Sequence, residues 1–194
     1  MSIKTLGQRL ARVFVGRYQL VRIYRKDLSR VQLCDTEGCH FVDLSGSSLF
    51  ADVASDDIRS HACYAVTGCY GYGLMEGQRC VCACWYWTKQ HSQLPVRFFP
   101  ELQKDEAVMV DLVTTARMRG KGYASALIRY SESQLRAAGF CRLRTWVWHS
   151  NGPSIRTFEK SGWTYTGFRI EIEPFRRERR FHIYWPATRD RGNI

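Results

Sequence analysis

Apolar residues recur with two different periods along this chain, and the changes between them outline its elements. Ile3, Leu6, Leu10, Val13 and Phe14 are spaced as one face of a short amphipathic helix over 2–14, with Arg and Lys between them. A basic amphipathic start of this kind can lie on a membrane surface, though more often it packs on its own domain. Tyr18 to Tyr24 alternates as a first strand. Residues 31–44 hold two short apolar runs around Thr36-Glu37-Gly38, a hairpin signal. The polar run Ser45 to Ser60 reads as loop plus a short helix. Residues 62–74 and 79–88 are strand-like and meet at Glu76-Gly77-Gln78, and residues 89–104, with two prolines, form a connection.

The second half is clearer. Residues 105–113 are a mostly apolar run of strand length, suited to a strand covered on both faces. Gly120 and Gly122 follow, then a helix whose inner face is Ala124, Leu127, Ile128, Ser131 and Leu135. Gly139 stops it. Residues 141–148 form another strand, Pro153 opens a short helix, and Gly162 closes it. Residues 163–173 and 179–185 make a final pair of strands. The predicted order is strand, helix, strand, helix, strand, strand.

Length and composition set bounds on this picture. With 194 residues, 45% hydrophobic and 24% charged, the chain reads as a globular domain able to bury a sizeable core without metal or disulfide. No apolar run approaches the roughly 18–20 residues that span a bilayer. The first residues lack a leader-like apolar stretch, so the eight Cys are expected as reduced thiols in a cytoplasm. The net charge of +11 is uneven. Residues 1–33 carry 8 basic and 1 acidic side chains, 34–111 carry 5 and 11, and 112–194 carry 16 and 6. The basic ends suit a polyanion, whether nucleic acid, anionic lipid or a phosphorylated small molecule, or form a solvated face without a partner.

Residues 110–128 contain the chemistry. A strand ends, a loop bearing Arg117, Arg119 and Lys121 follows, and two glycines open a helix. The first turn of a helix offers unpaired N–H groups and a positive dipole end. Glycine lets the backbone approach a phosphate without a clashing side chain. The spacing fits neither a dinucleotide fingerprint nor a P-loop, and by itself also suits a plain strand-to-helix turn.

A second segment changes the reading. Arg117-x-x-Gly120-x-Gly122, together with Asn151, Ser154, Ile155, Phe158, Glu159, Lys160, Gly162 and Trp163, resembles the GNAT superfamily of acyl-CoA-dependent N-acetyltransferases. The resemblance covers 105–185 well and 1–100 only as strand and helix count. It implies an α/β fold with a mixed, mostly antiparallel sheet, helices on both faces, and a V-shaped split between two central parallel strands. It also implies one domain over 1–194, with 1–104 the variable acceptor-side half and 105–185 the acetyl-CoA-binding half. The activity implied is acetyl transfer from acetyl-CoA to a primary amine by direct attack in a ternary complex. Transfer of a longer acyl chain, or an inactive acyl-CoA-binding homologue, are the alternatives.

Carried over residue by residue, the backbone of Val110, Leu112 and Val113 would pair with the acetyl and pantetheine amides. The Val110 N–H would polarise the thioester carbonyl. Met118, Arg119, Gly120, Lys121 and Gly122, with Tyr123 and Ala124 opening the helix, would hold the pyrophosphate beside Arg117. Asn151 and Ser154 would meet the pantetheine arm, and Phe158 would pack along it. Many members carry Tyr where this chain has Phe158, and there it reprotonates the thiolate. Here water, the substrate's proton, Tyr165 or Ser154 would do so. An attacking amine must first lose a proton, since its pKa is near 10. Glu106 is the first candidate for the base and Asp111, an acid inside an apolar strand, the second; each also has a purely structural reading.

The remaining features carry less. Cys80, Cys82 and Cys84 sit two apart, which places them on one strand face as small hydrophobes, and no metal is expected. Trp85, Tyr86, Trp87, Trp146 and Trp148 read as core, with strand ends that would face the acceptor. His149 could lie near the reacting sulfur or be a surface residue. Arg176 to Arg180 reads as a basic hairpin tip. No nucleic-acid motif is present. The expected partners are therefore acetyl-CoA and an amine acceptor, with no membrane span, in a monomer or homodimer.

Overall fold

The computed structural model describes residues 17–31, 39–45, 55–91, 99, 102–173 and 181–187. The helix expected over 2–14, the Thr36-Glu37-Gly38 turn and the basic run 176–180 lie outside the described residues. Among the described residues eight strands form one sheet: β1 (Arg17–Asp27), β2 (His40–Asp43), β3 (Tyr70–Glu76), β4 (Arg79–Thr88), β5 (Glu106–Thr114), β6 (Arg142–Trp148), β7 (Thr164–Glu173) and β8 (Phe181–Pro186). Their order across the sheet is β2-β3-β4-β5-β6-β1-β7-β8. Every pairing is antiparallel except the central one, β5 with β6. Parallel neighbours need a crossover, and α2 (Tyr123–Ala137) provides it. The strand, helix, strand, helix, strand, strand order of the second half is observed.

Two apolar layers sandwich the sheet. One face packs Tyr24, Tyr72, Tyr86, Met109 and Leu143 against Leu127, Ile128 and Leu135 of α2 and Ile155 and Phe158 of α3 (Gly152–Lys160). The other packs Val21, Trp85, Trp87, Val108 and Val110 with Ile58 of the short helix α1 (Asp56–Arg59). Helices thus lie on both faces, the two longer ones together. Among the described residues no helix is long and apolar enough to cross a membrane.

Two sequence readings are corrected by local geometry. Residues 62–64 form a 3-10 turn rather than strand, held where Trp87 Nε1 donates to the Tyr64 carbonyl at 2.9 Å, and β3 starts only at Tyr70. Cys80, Cys82 and Cys84 do not share a face. The β3–β4 register slips between Leu74↔Cys82 and Met75↔Cys80, so Val81 is an extra residue. Cys82 and Cys84 pack toward α2 and Cys80 toward the opposite core. A one-residue bulge reverses the facing of what lies beyond it.

Candidate active site

β5 and β6 are paired from Glu106↔Arg142 to Met109↔Thr145 and then part. A bulge in β5 lies at the point of parting. Trp85 pairs with Asp111 but Tyr86 pairs with Met109, which leaves Val110 as the extra residue. Simple alternation would put Asp111 on the α2 face with Ala107 and Met109. The bulge instead sends its carboxylate to the other face, where His61 Nδ1 lies 2.6 Å from Oδ2. His61 lies two residues beyond the end of α1. Burial pushes the Asp111 carboxyl above its ordinary value, while the His61 charge, its hydrogen bond and the Leu112 N–H oppose that rise.

A cleft of about 190 Å³ fills the gap between the parted strands. It is lined by Met109, Val110, Asp111 and Leu112 of β5, by Thr145 to Trp148 of β6, by Asn151, Ser154 and Phe158 of α3, and by Tyr64. Asn151 caps α3, its Oδ1 accepting from the Ser154 N–H at 3.2 Å, a cap that does not use its amide NH₂ donors. Phe158 is 3% exposed, at 6.1 Å from the Tyr24 ring and 5.1 Å from Trp163 between centroids. Val113, also expected at the cofactor, faces the α1-side core and does not line the cleft.

The loop after β5 turns at Ala116–Met118 and enters α2 through Gly120 and Gly122, with φ of +79° and +84°. A Cβ at either glycine would meet nothing within 4 Å, so the space before the helix is open. The Gly122 carbonyl starts the helix by accepting from Ala126 N–H, and the N–H groups of the first turn precede that bond. Met118 departs from expectation: its N–H already donates to the Thr115 carbonyl at 2.9 Å. The Ala116 N–H is likewise held, by Asp57 Oδ2 at 3.2 Å. Arg119 turns back so that Nε donates to the Thr114 carbonyl at 3.1 Å. Arg117 and Lys121 are exposed beside the glycines. The donor set of open first-turn amides, glycines and cations fits a pyrophosphate.

Glu106 stands elsewhere. It begins β5, five residues from Asp111, about 16 Å at strand rise. It is 1% exposed. Arg142 Nε lies 2.9 Å and Arg144 Nη2 3.1 Å from its Oε1, and Gln103 N–H donates to Oε2. Parallel register places Arg142 directly opposite, so the carboxylate is engaged as an ion-pair centre outside the cleft. His149 and Tyr165 are also outside the cleft, in a second groove with Leu20, Arg22 and Phe168. Ser154 remains in the cleft. Sequence spacing singles out neither His61, which falls between the loop read to Ser60 and the strand read from 62, nor Tyr64 inside that strand, and only the bulge at Val110 turns Asp111 toward them.

The split central parallel pair and the glycine loop opening the crossover helix define an acyltransferase-type α/β fold. Residues 65–163 match the model of the acetyltransferase (GNAT) family, and the chain belongs to that family. A search of curated proteins finds no match. Among solved structures, a GNAT-family protein from Novosphingobium aromaticivorans is similar at 17% identity and TM-score 0.59, over 81% of this chain and 65% of that one. A GCN5-related N-acetyltransferase-like protein from Streptococcus suis is similar at 11% identity and TM-score 0.57, over 87% and 67%. A glucosamine N-acetyltransferase region of a fungal multi-domain β-N-acetylglucosaminidase is similar at 15% identity and TM-score 0.56, over 84% and 21%. These likenesses concern the fold.

Proposed function

We propose that the protein transfers an acetyl group from acetyl-CoA to a primary amine, by direct attack within a ternary complex. The observation that carries this reading is the coincidence, at one parting of β5 and β6, of an open cleft, a bulged backbone and a carboxylate paired with an imidazole. When bound, acetyl-CoA supplies the activated thioester. Gly120, Lys121, Gly122, Tyr123 and Ala124 offer backbone N–H groups to its pyrophosphate, with Arg117 adjacent, while Met118 shapes the loop. The Val110 backbone polarises the acetyl carbonyl, the Leu112 backbone and Asn151 fix the pantetheine arm, and Phe158 packs along it.

Asp111 and His61 act as one proton-accepting unit. In its proton-accepting form, with Nδ1–H donated to Asp111 and no proton on Nε2, the pair carries one negative charge. That charge attracts an ammonium, and the pair takes up its proton as a unit. The amine nitrogen then bonds to the acetyl carbon as the thiolate leaves. The nitrogen's second proton passes to the departing thiolate through water or the Ser154 hydroxyl acting as a relay, since Phe158 has no proton to give. Glu106 organises Arg142 and Arg144 and is not the base. On this reading residues 105–185 hold the cofactor, and the first 104 residues contribute the acceptor side through His61 and Tyr64.

Acetyl-CoA at 100 times its dissociation constant should stabilise the fold by about 2.7 kcal/mol. A raised melting temperature in its presence, with none from an equal concentration of acetate, supports the reading. No shift at millimolar acetyl-CoA would remove it.

A further inference from the structure

The cleft is lined from both faces of the sheet, and the two linings differ in chemistry. Toward α2 and α3 it shows Leu112, Val147 and Phe158 with the polar groups of Asn151 and Ser154. Toward α1 it shows Tyr64, Asp111 and Trp146, with Trp148 sharing the Trp146 face by alternation. The first lining suits an amide-bearing chain. The second is three aromatic rings around one carboxylate.

We infer that the acceptor is a primary amine borne on a flat apolar body, with no carboxylate or phosphate beside the nitrogen, and that it enters between Tyr64, Trp146 and Trp148. The inference rests on the acetyl-transfer reading and names its substrate class. The aromatic wall is fixed from behind. The Tyr64 ring lies 6.5 Å from Trp85 and 6.2 Å from Trp87, and Trp146 lies 5.9 Å from Phe99. Trp148 is the exception, 47% exposed at the rim, and offers its indole to an incoming ring. An ammonium is attracted both by Asp111 and by the faces of these rings.

Charge disfavours the main alternatives. Among the described residues no basic side chain lines the cleft. An amino acid or sugar phosphate would therefore bring an anion beside Asp111 without a partner. A polyamine would need a second carboxylate. The nearby acids of α1 are engaged, Asp57 by the Ala116 N–H and Asp56 by Arg59 at 3.7 Å.

The test measures CoA thiol release and N-acetyl product by mass, using the full chain, acetyl-CoA and four probe amines. The probes are 2-phenylethylamine, n-butylamine, spermidine and phenylalanine, the last sharing the ring of the first and adding a carboxylate. The expected kcat/KM for 2-phenylethylamine exceeds that for n-butylamine about tenfold, through ring contact. It exceeds that for phenylalanine about a hundredfold, through the unpaired carboxylate. Trp148→Ala should bring the 2-phenylethylamine to n-butylamine ratio close to one, with the acetyl-CoA melting shift retained as evidence of a folded cofactor half. Phenylalanine or spermidine matching 2-phenylethylamine, or a ratio untouched by Trp148→Ala, overturns the acceptor class while leaving acetyl transfer standing. No product from any amine, with acetyl-CoA still bound, overturns acetyl transfer and the acceptor class with it.

Discussion

Thr145 Oγ1 donates to the Met109 carbonyl at 3.0 Å, across the last pair of residues that β5 and β6 share. Past this bond the strands diverge, so a single hydroxyl closes the apex of the cleft. Thr145→Val keeps the shape and removes this donor from a buried carbonyl. The expected cost is about 1–3 kcal/mol in urea unfolding, with weaker acetyl-CoA binding, and Thr145→Ser should restore both. A neutral Thr145→Val would mean that the apex is held by packing alone.

Gly120 and Gly122 make separable contributions. Each has positive φ and open space at its Cβ position, so alanine is strained but not obstructed. Gly120→Ala should cost about 1–2 kcal/mol of stability. Gly120→Val should in addition weaken acetyl-CoA much more than it destabilises, because its methyls enter the space the pyrophosphate approaches. Calorimetric titration of the folded variant decides the point; unchanged affinity would place the phosphates elsewhere.

Glu106 and Asp111 should give opposite phenotypes. Glu106→Gln removes the charge that Arg142 and Arg144 share, with an expected loss of about 2 kcal/mol in stability and little change in kcat once folded. Asp111→Asn should keep acetyl-CoA affinity and lose about 10²–10⁴ in kcat/KM for the amine. Unfolding curves and steady-state rates for the two variants, side by side, separate the roles; an activity loss confined to Glu106→Gln would reverse them.

Glu132 predicts a pH dependence of stability. It is 2% exposed on α2, accepts from Trp163 Nε1 at 2.7 Å and lies 3.6 Å from Lys26 Nζ. Burial raises its carboxyl above the ordinary value, and Lys26 and Trp163 only partly counter this. The folded state therefore binds more protons than the unfolded one, and this contribution falls as pH rises from the ordinary carboxylate range through the raised value. Wild type should lose ground relative to Glu132→Gln between pH 4 and pH 7 in urea unfolding. A difference that does not vary with pH, or grows in favour of wild type, would contradict this.

The second-half elements were legible because glycines and apolar periods act through the local backbone. The Arg117 to Gly122 loop, both helices and the strand order of the second half could all be read from spacing. The meeting of Asp111 with His61 was not, because it depends on register. A single extra residue at Val110 turns Asp111 to the face where His61 waits, fifty residues away. The same kind of slip at Val81 separated Cys80 from Cys82. Glu106 starts the strand that reads as central, and the ion pairs it makes with Arg142 and Arg144 follow from parallel pairing between distant strands, which is not written in either one.

The most direct test of the account is the pH profile of kcat/KM for an acetylated amine, with wild type, Asp111→Asn and His61→Gln compared. The account predicts an acidic limb in wild type set by proton uptake at Asp111, whose carboxyl burial raises, with Tyr64, Cys63 and Cys84 the neighbouring titratable groups and Asp56, Asp57 and Arg59 the nearest charges on α1. In both variants activity should fall at neutral pH, and its rise should move toward the pKa of the amine itself, where the acceptor is already neutral. Profiles in the variants that keep the wild-type limb and rate would contradict it.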